Sequence, residues 1–146
     1  MRVAYTDERL INYAGPENIL VVPITSFVKQ SGEVSLVDAE ARAIEEAYPA
    51  MTQVMGTLLN EGVPFPMYRN DNLNVLGVPD RTHYAAKVDE NLVVEGLAAI
   101  SRSAEEYKDF LIYTFPLGGD EKLTREMLEH HLNVVLLCRS EDSSHE

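Results

Sequence analysis

Two adjacent glycines, Gly118 and Gly119, separate an apolar run from a charged, helix-like segment in the stretch TFPLGGDEKLTREML. Glycine adopts positive φ angles without steric cost, so a ligand can approach its backbone closely. Free N–H groups at a helix start attract anions such as phosphate. Two interpretations fit this stretch: a tight turn without a ligand, or an anion cradle formed by Leu117, Gly118, Gly119 and Asp120. Carboxylates at Asp120 and Glu121 favour the turn, because they repel phosphate.

A second candidate stretch, TSFVKQSGEVS, follows the apolar run ILVVPI. Thr25 and Ser26 provide hydroxyl groups where the run ends, and Lys29 and Gly32 lie further along. Hydroxyls, one cation and a glycine are groups that hold a ribose or a phosphate. The same residues are equally typical of a solvated loop in which Ser35 caps the next helix.

The third stretch, VPDRTHYAAKVDENL, carries Arg81, His83 and Lys87 and is the most basic segment of the chain. His83 is a candidate general base, and a surface histidine bonded to a carboxylate is the alternative. His130 and His131 are neighbours in the sequence, so a helix would point them to different faces. No zinc-type ligand spacing, Walker A, GxGxxG or GxSxG motif is present, and we expect neither a metal nor a cofactor.

Acidic residues outnumber basic ones by 24 to 12, which gives a formal net charge of -12. A protein that binds a nucleic-acid backbone needs a basic surface, so we expect no such binding. An anionic ligand would have to be held locally by backbone N–H groups. Screening over about 8–10 Å allows this despite the unfavourable overall charge.

The length of 146 residues favours one domain, which we place at residues 1–139, followed by a polar C-terminal tail at 140–146. Cys138 is the single cysteine, so no internal disulfide is expected. No apolar stretch approaches the ~20 residues of a membrane span, and the N-terminus lacks the apolar core of a signal peptide. We therefore expect a cytoplasmic protein that does not bind membranes.

Hydrophobic patterning predicts the elements that position the three stretches. Short apolar runs predict strands at 3–5, 19–24, 75–78, 110–115 and 134–137. Helical spacing predicts helices from 37, from 49 to a stop at Gly62, from about 89 to 107, and from 123 to 132 with Thr124 as a cap. Residues 63–72 are interpreted as a loop or edge element.

Strands that alternate with helices predict an α/β protein, a three-layer α/β/α fold around a mostly parallel, mixed central sheet. Ligands of such sheets bind beyond the carboxyl ends of the strands. The pattern therefore selects the loops at 23–36, 79–89 and 116–124. We expect the exits of two interior strands to converge on one small anionic ligand.

Three stretches in this order resemble the macrodomain family of ADP-ribose-binding α/β modules. They are YTDERL with NILVVPITSFVKQSG and DAEARAIEEAYPAM, then NVLGVPDRTHY with VDENLVVEGLAAI, and then FLIYTFPLGGDEKL. The family has at these places an acidic residue after the first strand, a Pro-Val-Asn strand end with a glycine loop, a Pro-Thr-Lys-like turn, and a Pro-Leu-Gly-Cys-Gly loop. The resemblance covers nearly the whole chain.

The resemblance implies a role for each matching residue. Asp7 would accept a hydrogen bond from the adenine amino group. The distal ribose would face the loop from Thr25 and Ser26 to Gly32, and the amides of Gly118 and Gly119 would hold the diphosphate.

The sequence departs from the family pattern at Thr25, where the family has asparagine, and at Arg81, where it has lysine. Arginine stays protonated and does not shuttle protons near neutral pH. The resemblance implies binding of ADP-ribose or a derivative. As an enzyme, the protein would be a hydrolase that acts at the distal ribose with His83 and Arg81, and it would remove either ADP-ribose from a target or the phosphate from ADP-ribose 1″-phosphate. Two other classes stay open: a ligand-free module that binds a protein partner, and an unrelated α/β enzyme for a small phosphorylated metabolite.

Overall fold

A computed structural model describes residues 1–140 of the chain. The tail predicted at 140–146 lies, from residue 141 onward, outside the described residues. The described part contains strands and helices in the alternating order that the sequence predicts. The strands are β1 (Arg2–Thr6), β2 (Asn18–Thr25), β3 (Met67–Asn70), β4 (Leu73–Arg81), β5 (Leu111–Thr114) and β6 (Val134–Arg139). The helices are α1 (Ala39–Ala47), α2 (Met51–Asn60), α3 (Glu90–Glu106) and α4 (Glu121–Leu128).

The sheet has the strand order β1-β6-β5-β2-β4-β3. All neighbouring pairs are parallel except β3 and β4, so the sheet is mixed and mostly parallel. The predicted fold class is confirmed. Because β2 lies between β4 and β5 in a parallel arrangement, the carboxyl ends of these three strands meet at one edge of the sheet.

Both faces of the sheet are buried, as the continuous apolar run in β2 predicts. Successive side chains of a strand point to opposite faces. One hydrophobic cluster contains Leu20, Val22 and Ile24 of β2 together with residues of α1 and α2. The other contains Ile19 and Val21 together with residues of α3 and α4. The sheet is therefore the middle of three layers.

The edge strand β3 falls within the segment 63–72 that the sequence analysis interprets as a loop or edge element. The expected strand at 75–78 is longer in the structure and continues through Pro79 to Arg81. The register shifts at this point, since Ile24 pairs with Pro79 whereas Thr25 pairs with Arg81. Asp80 is therefore the extra residue of a bulge, which accommodates a proline that cannot donate to the sheet.

The expected helix caps are wrong at two positions. Helix α1 begins after Asp38, whose Oδ2 accepts a hydrogen bond from the Ala41 amide at 3.1 Å, and not after Ser35. Helix α4 begins after Asp120, whose Oδ1 accepts from the Leu123 amide at 3.0 Å, and Thr124 lies inside the helix. An aspartate satisfies a free helix amide as well as serine or threonine, so composition does not distinguish these caps.

The last helix ends at Leu128, and the expected extension to residue 132 is wrong. Leu132 lies in the following turn with 93% of its surface exposed. The Asn133 side chain holds this turn by donating to the carbonyl oxygens of Ala104, Tyr107 and Phe110. Among the helices of residues 1–140, none has the length and apolar character needed to cross a bilayer.

Candidate functional site

The loops that follow β2 and β4 are joined by backbone hydrogen bonds beyond the strand ends. The Ser26 amide donates to the Arg81 carbonyl oxygen at 3.0 Å, and the Phe27 amide donates to the Thr82 carbonyl oxygen at 2.8 Å. The two loops therefore form one continuous wall along the edge of the sheet. The loop that follows β5 lies opposite this wall, because β5 is the other neighbour of β2.

The loop after β5 turns sharply at its two glycines, which have φ angles of 63° for Gly118 and 73° for Gly119. A Cβ atom on Gly118 would lie 2.7 Å from Val93 Cγ2, whereas a Cβ atom on Gly119 would meet no atom within 4 Å. Glycine is therefore required at position 118 for two reasons: the positive φ angle, and the lack of space for a side chain beside Val93. The space above Gly119 is open, as a close approach by a ligand needs.

Thr124 fixes this loop from within α4. Its hydroxyl oxygen accepts a hydrogen bond from the Leu117 amide at 3.1 Å, and the hydroxyl donates to the Asp120 carbonyl oxygen at 2.7 Å. The amide of Gly119 donates to the Pro116 carbonyl oxygen at 3.2 Å. That length is at the upper end of the normal range, so this amide is weakly held by its own turn.

Three adjoining cavities surround Gly118. The first, the interhelical cavity, has a volume of about 400 Å³ and is lined by Val88, Glu90, Val93, Val94, Gly118, Asp120 and Leu123. The second, the strand-end cavity, has about 260 Å³ and is lined by Pro23, Val37, Asp38, Asp80, Arg81, Val88, Pro116, Gly118 and Gly119. The third has about 50 Å³, includes Leu10 and Leu117 in its lining, and shares Pro23, Asp38, Pro116 and Gly118 with the strand-end cavity. Together they form a cleft across the carboxyl ends of β2, β4 and β5.

An ion pair occupies one side of the strand-end cavity. Arg81 Nε lies 2.9 Å from Asp80 Oδ1, and Arg81 Nη2 lies 3.2 Å from Asp80 Oδ2. Asp80 is only 3% exposed, because the bulge in β4 turns it into the protein. The hydrogen bond to Asp80 raises the pKa of the Arg81 guanidinium, and the charges of Asp80 and Asp38 add to this effect although burial opposes it. Arg81 is thus a permanent cation in the cleft.

The structure brings part of the predicted site together. Gly118, Gly119 and Arg81 line the strand-end cavity, and Asp120 lines the interhelical cavity. Leu117 borders the smallest cavity and is 3% exposed.

Other predicted residues lie away from these cavities. The Thr25 hydroxyl donates to the Phe27 carbonyl oxygen and accepts from the Ser35 amide, so it organises its own loop. Gly32, with φ 89°, packs against α2 so closely that a Cβ atom on Gly56 would lie 1.9 Å from its carbonyl oxygen. Ser26 is exposed in the loop that contains Thr25 and Gly32, and it is not among the residues that line the three cavities.

Asp7 and His83 are both exposed on the cleft edge of the sheet. Asp7 directly follows β1, and His83 lies in the loop that follows β4, where its carbonyl oxygen accepts from the Ala86 amide at 3.0 Å. Neither side chain lines the three cavities.

Sequence reasoning missed two carboxylates of the cleft, Asp38 and Asp80. Asp38 borders two of the three cavities and caps α1 at the same time. An aspartate shortly before an apolar helical pattern is a helix-start signal, which marks Asp38 as a residue near the edge of the sheet where the strands end. The position of Asp80 depends on the bulge, for which Pro79 is the only signal in the sequence.

The structure is a three-layer α/β module with a cleft at the carboxyl ends of its strands. The sequence matches no protein-family model and no curated protein. Among solved structures, the chain is similar to the macrodomain of Thermus aquaticus DarG, with a TM-score of 0.71 and 17% identity over 95% of this chain and 97% of that one. It is also similar to the macrodomain of Mycobacterium tuberculosis DarG, with a TM-score of 0.70 and 16% identity over 94% of this chain and 98% of that one.

A third similar structure is Thermosipho africanus DarTG in complex with ADP-ribose. The TM-score is 0.72 and the identity is 12%, over 94% of this chain and 41% of that longer chain. The chain therefore has the macrodomain fold, in a form whose sequence has diverged widely from these structures. The resemblance that the sequence suggests is confirmed at the level of the fold.

Proposed function

We propose that this protein binds ADP-ribose, or a derivative of it, in the cleft around Gly118. The observation that carries the proposal is the turn at Gly118 and Gly119, which opens onto the strand-end cavity at the carboxyl ends of three parallel strands. The similarity to a DarTG structure that holds ADP-ribose supports the choice of ligand.

The diphosphate would lie against the backbone of Gly118 and Gly119, before the N-terminus of α4. The open space above Gly119 admits an oxygen atom close to the backbone. Phosphate is a stronger acceptor than the Pro116 carbonyl oxygen, to which the Gly119 amide donates over 3.2 Å. The positive end of the helix dipole adds a further local attraction.

The adenosine would extend from the diphosphate toward Asp7 at the end of β1. The strand order places β1 two positions from β5, which corresponds to about 10 Å at ~4.8 Å per strand spacing. An adenine amino group at this distance would donate to the Asp7 carboxylate. The distal ribose would then point away from β1, toward the strand-end cavity and the loop from Thr25 to Gly32.

Calorimetry with a blocked variant tests this proposal. We expect ADP-ribose to bind with micromolar to sub-millimolar affinity and Gly119→Glu to abolish the heat, because the new carboxylate would occupy the phosphate position and repel the ligand. Gly62→Glu is the matched control: Gly62 also has a positive φ, 91°, and open space for a side chain, but it follows α2. AMP serves as the ligand control.

Absence of heat with ADP-ribose and unmodified protein would contradict the proposal. It would favour the rival function, a module that binds a protein partner, for which the acidic lining of the cleft and the net charge of -12 are the supporting observations.

Hydrolysis at the distal ribose is the catalytic extension of the proposal. Arg81 would help to orient the distal ribose from the lining of the strand-end cavity. Its raised pKa excludes a role as a base. His83 would supply the base only after moving inward, because it is exposed in the structure. Turnover of an ADP-ribosylated protein that survives both Arg81→Ala and His83→Ala would contradict these roles.

A further inference from the structure

We propose that the strand-end cavity accepts a neutral, hydroxyl-bearing end of the ligand and excludes a terminal phosphate monoester, with Asp38 and Asp80 as the specificity-determining residues. This inference rests on the proposed function and refines its substrate class. It predicts that the protein prefers ADP-ribose to ADP-ribose 1″-phosphate.

The charges that line this cavity favour a neutral group. Asp38 and Asp80 contribute two carboxylates, whereas Arg81 contributes one guanidinium. Asp80 already uses two nitrogen atoms of that guanidinium in a two-point hydrogen bond. Because bidentate pairing is the geometry in which arginine holds a phosphate, Arg81 is occupied by the protein itself.

Burial of Asp80 strengthens its effect on a ligand. Its side chain is 4% exposed, so little water lies beside the carboxylate to screen it. The bulge fixes its position, and the backbone does so too, since the Asp89 amide donates to the Asp80 carbonyl oxygen at 2.8 Å. A dianionic phosphate beside this group would meet a like charge that cannot turn away.

Sugar hydroxyls match the same carboxylates. An ionised carboxylate accepts hydrogen bonds only and has about four lone-pair sites on its two oxygens. Asp38 uses Oδ2 to accept from the Ala41 amide, and further lone pairs remain to accept from a diol. The ligand phosphates would therefore be held by the glycine backbone and the terminal sugar by the carboxylates.

This division indicates which reaction the cleft could support. An enzyme that removes a phosphate from ADP-ribose 1″-phosphate must bind the monoester in its reaction centre. An enzyme that removes ADP-ribose from a target must bind the terminal sugar without that charge. The cavity fits the second class of reaction.

The test is calorimetry with ADP-ribose and with ADP-ribose 1″-phosphate, using the unmodified protein, Asp38→Asn and Asp80→Asn. We expect the unmodified protein to bind the phosphorylated ligand at least about tenfold more weakly than ADP-ribose, since like charges at close range are costly. Each asparagine variant should strengthen binding of the phosphorylated ligand and reduce the gap to about threefold or less, because one repelling charge is gone. Asparagine also caps helices, so Asp38→Asn keeps α1 intact.

Asp71→Asn is the matched control, because Asp71 is exposed in the turn before β4, at the opposite end of the same strand. It removes the same charge from the molecule and should leave the affinity ratio unchanged. Thermal melts of all variants verify folding. If either Asp38→Asn or Asp80→Asn is unfolded, the affinity ratio of the two ligands measured with the other variant is the test.

Equal affinities for the two ligands, or a gap that neither cavity variant changes, would overturn the inference while leaving the proposed function intact. Absence of binding by either ligand would overturn both. A third contrary result is that Asp71→Asn reduces the affinity difference between ADP-ribose and ADP-ribose 1″-phosphate as much as the cavity variants do. That result would show that the net charge of the protein causes the difference, and it would also overturn the inference.

Discussion

Two neighbouring glycines show how much the function of a residue depends on the atoms around it. Gly118 and Gly119 have the same identity, similar positive φ angles and adjacent positions. Gly118 packs against Val93, whereas Gly119 faces open space. The first is therefore a structural requirement of the turn, and the second is the one that a ligand can approach.

Alanine at these two positions should separate the roles. A left-handed backbone costs an alanine about 1–2 kcal/mol, so Gly119→Ala should lower the free energy of unfolding by that amount. Gly118→Ala should cost about 2–4 kcal/mol, because its Cβ atom also displaces Val93 from the core. Denaturant unfolding of both variants measures the difference, and equal losses would show that the loop relaxes around a side chain at residue 118.

At the scale of elements, the cleft depends on side chains that join one loop or helix to the next. Glu40 of α1 is the clearest example among the described residues. Its Oε1 accepts from the Leu10 amide at 2.8 Å and from Arg9 Nε at 3.2 Å, and its Oε2 accepts from Arg139 Nη2 at 2.7 Å. One carboxylate thus connects α1 with the segment after β1 and with the end of β6.

Removing this carboxylate should loosen the side of the cleft that the proposed adenine site occupies. Glu40→Ala leaves the Leu10 amide without its acceptor, which costs about 1–3 kcal/mol for a buried donor. Glu46→Ala is the matched control, because Glu46 is exposed on the same helix and should change stability by less than about 0.5 kcal/mol. Chemical denaturation of both variants tests this, and similar losses would contradict a connecting role for Glu40.

Other features of the elements explain which sequence predictions succeeded. The apolar runs at 19–24 and 134–137 lie in β2 and β6, because continuous β-branched and leucine-rich runs are typical of strands buried on both faces. The predicted starts of α1 and α4 are wrong, because several polar residues near each helix start are adequate caps. Which of these polar residues caps each helix depends on the direction in which the preceding loop enters the helix. In the structure the caps are Asp38 and Asp120.

At the scale of the whole molecule, the net charge of -12 opposes an anionic ligand while the local backbone attracts it. The long-range repulsion is screened by salt over about 8–10 Å, whereas close contacts with amides are screened much less. We therefore expect the affinity for ADP-ribose to rise as salt increases from ~20 mM to ~150 mM.

Calorimetry at matched pH across this range of ionic strength measures the salt effect. An affinity that falls steadily with salt would indicate that side-chain cations hold the phosphates, in conflict with binding by the glycine backbone.

The sequence by itself determined the type and order of the elements, the parallel sheet and the glycine turn after β5, because hydrophobic periodicity and glycine chemistry act over a few neighbouring residues. The tertiary structure alone decided which side chains face the cleft. In the structure the Thr25 hydroxyl forms its hydrogen bonds within its own loop. Asp38 and Asp80 lie together with Arg81 in the lining of the strand-end cavity. The direction of a side chain at a strand end depends on register and on a single bulged residue, and that register is set by packing between distant parts of the chain.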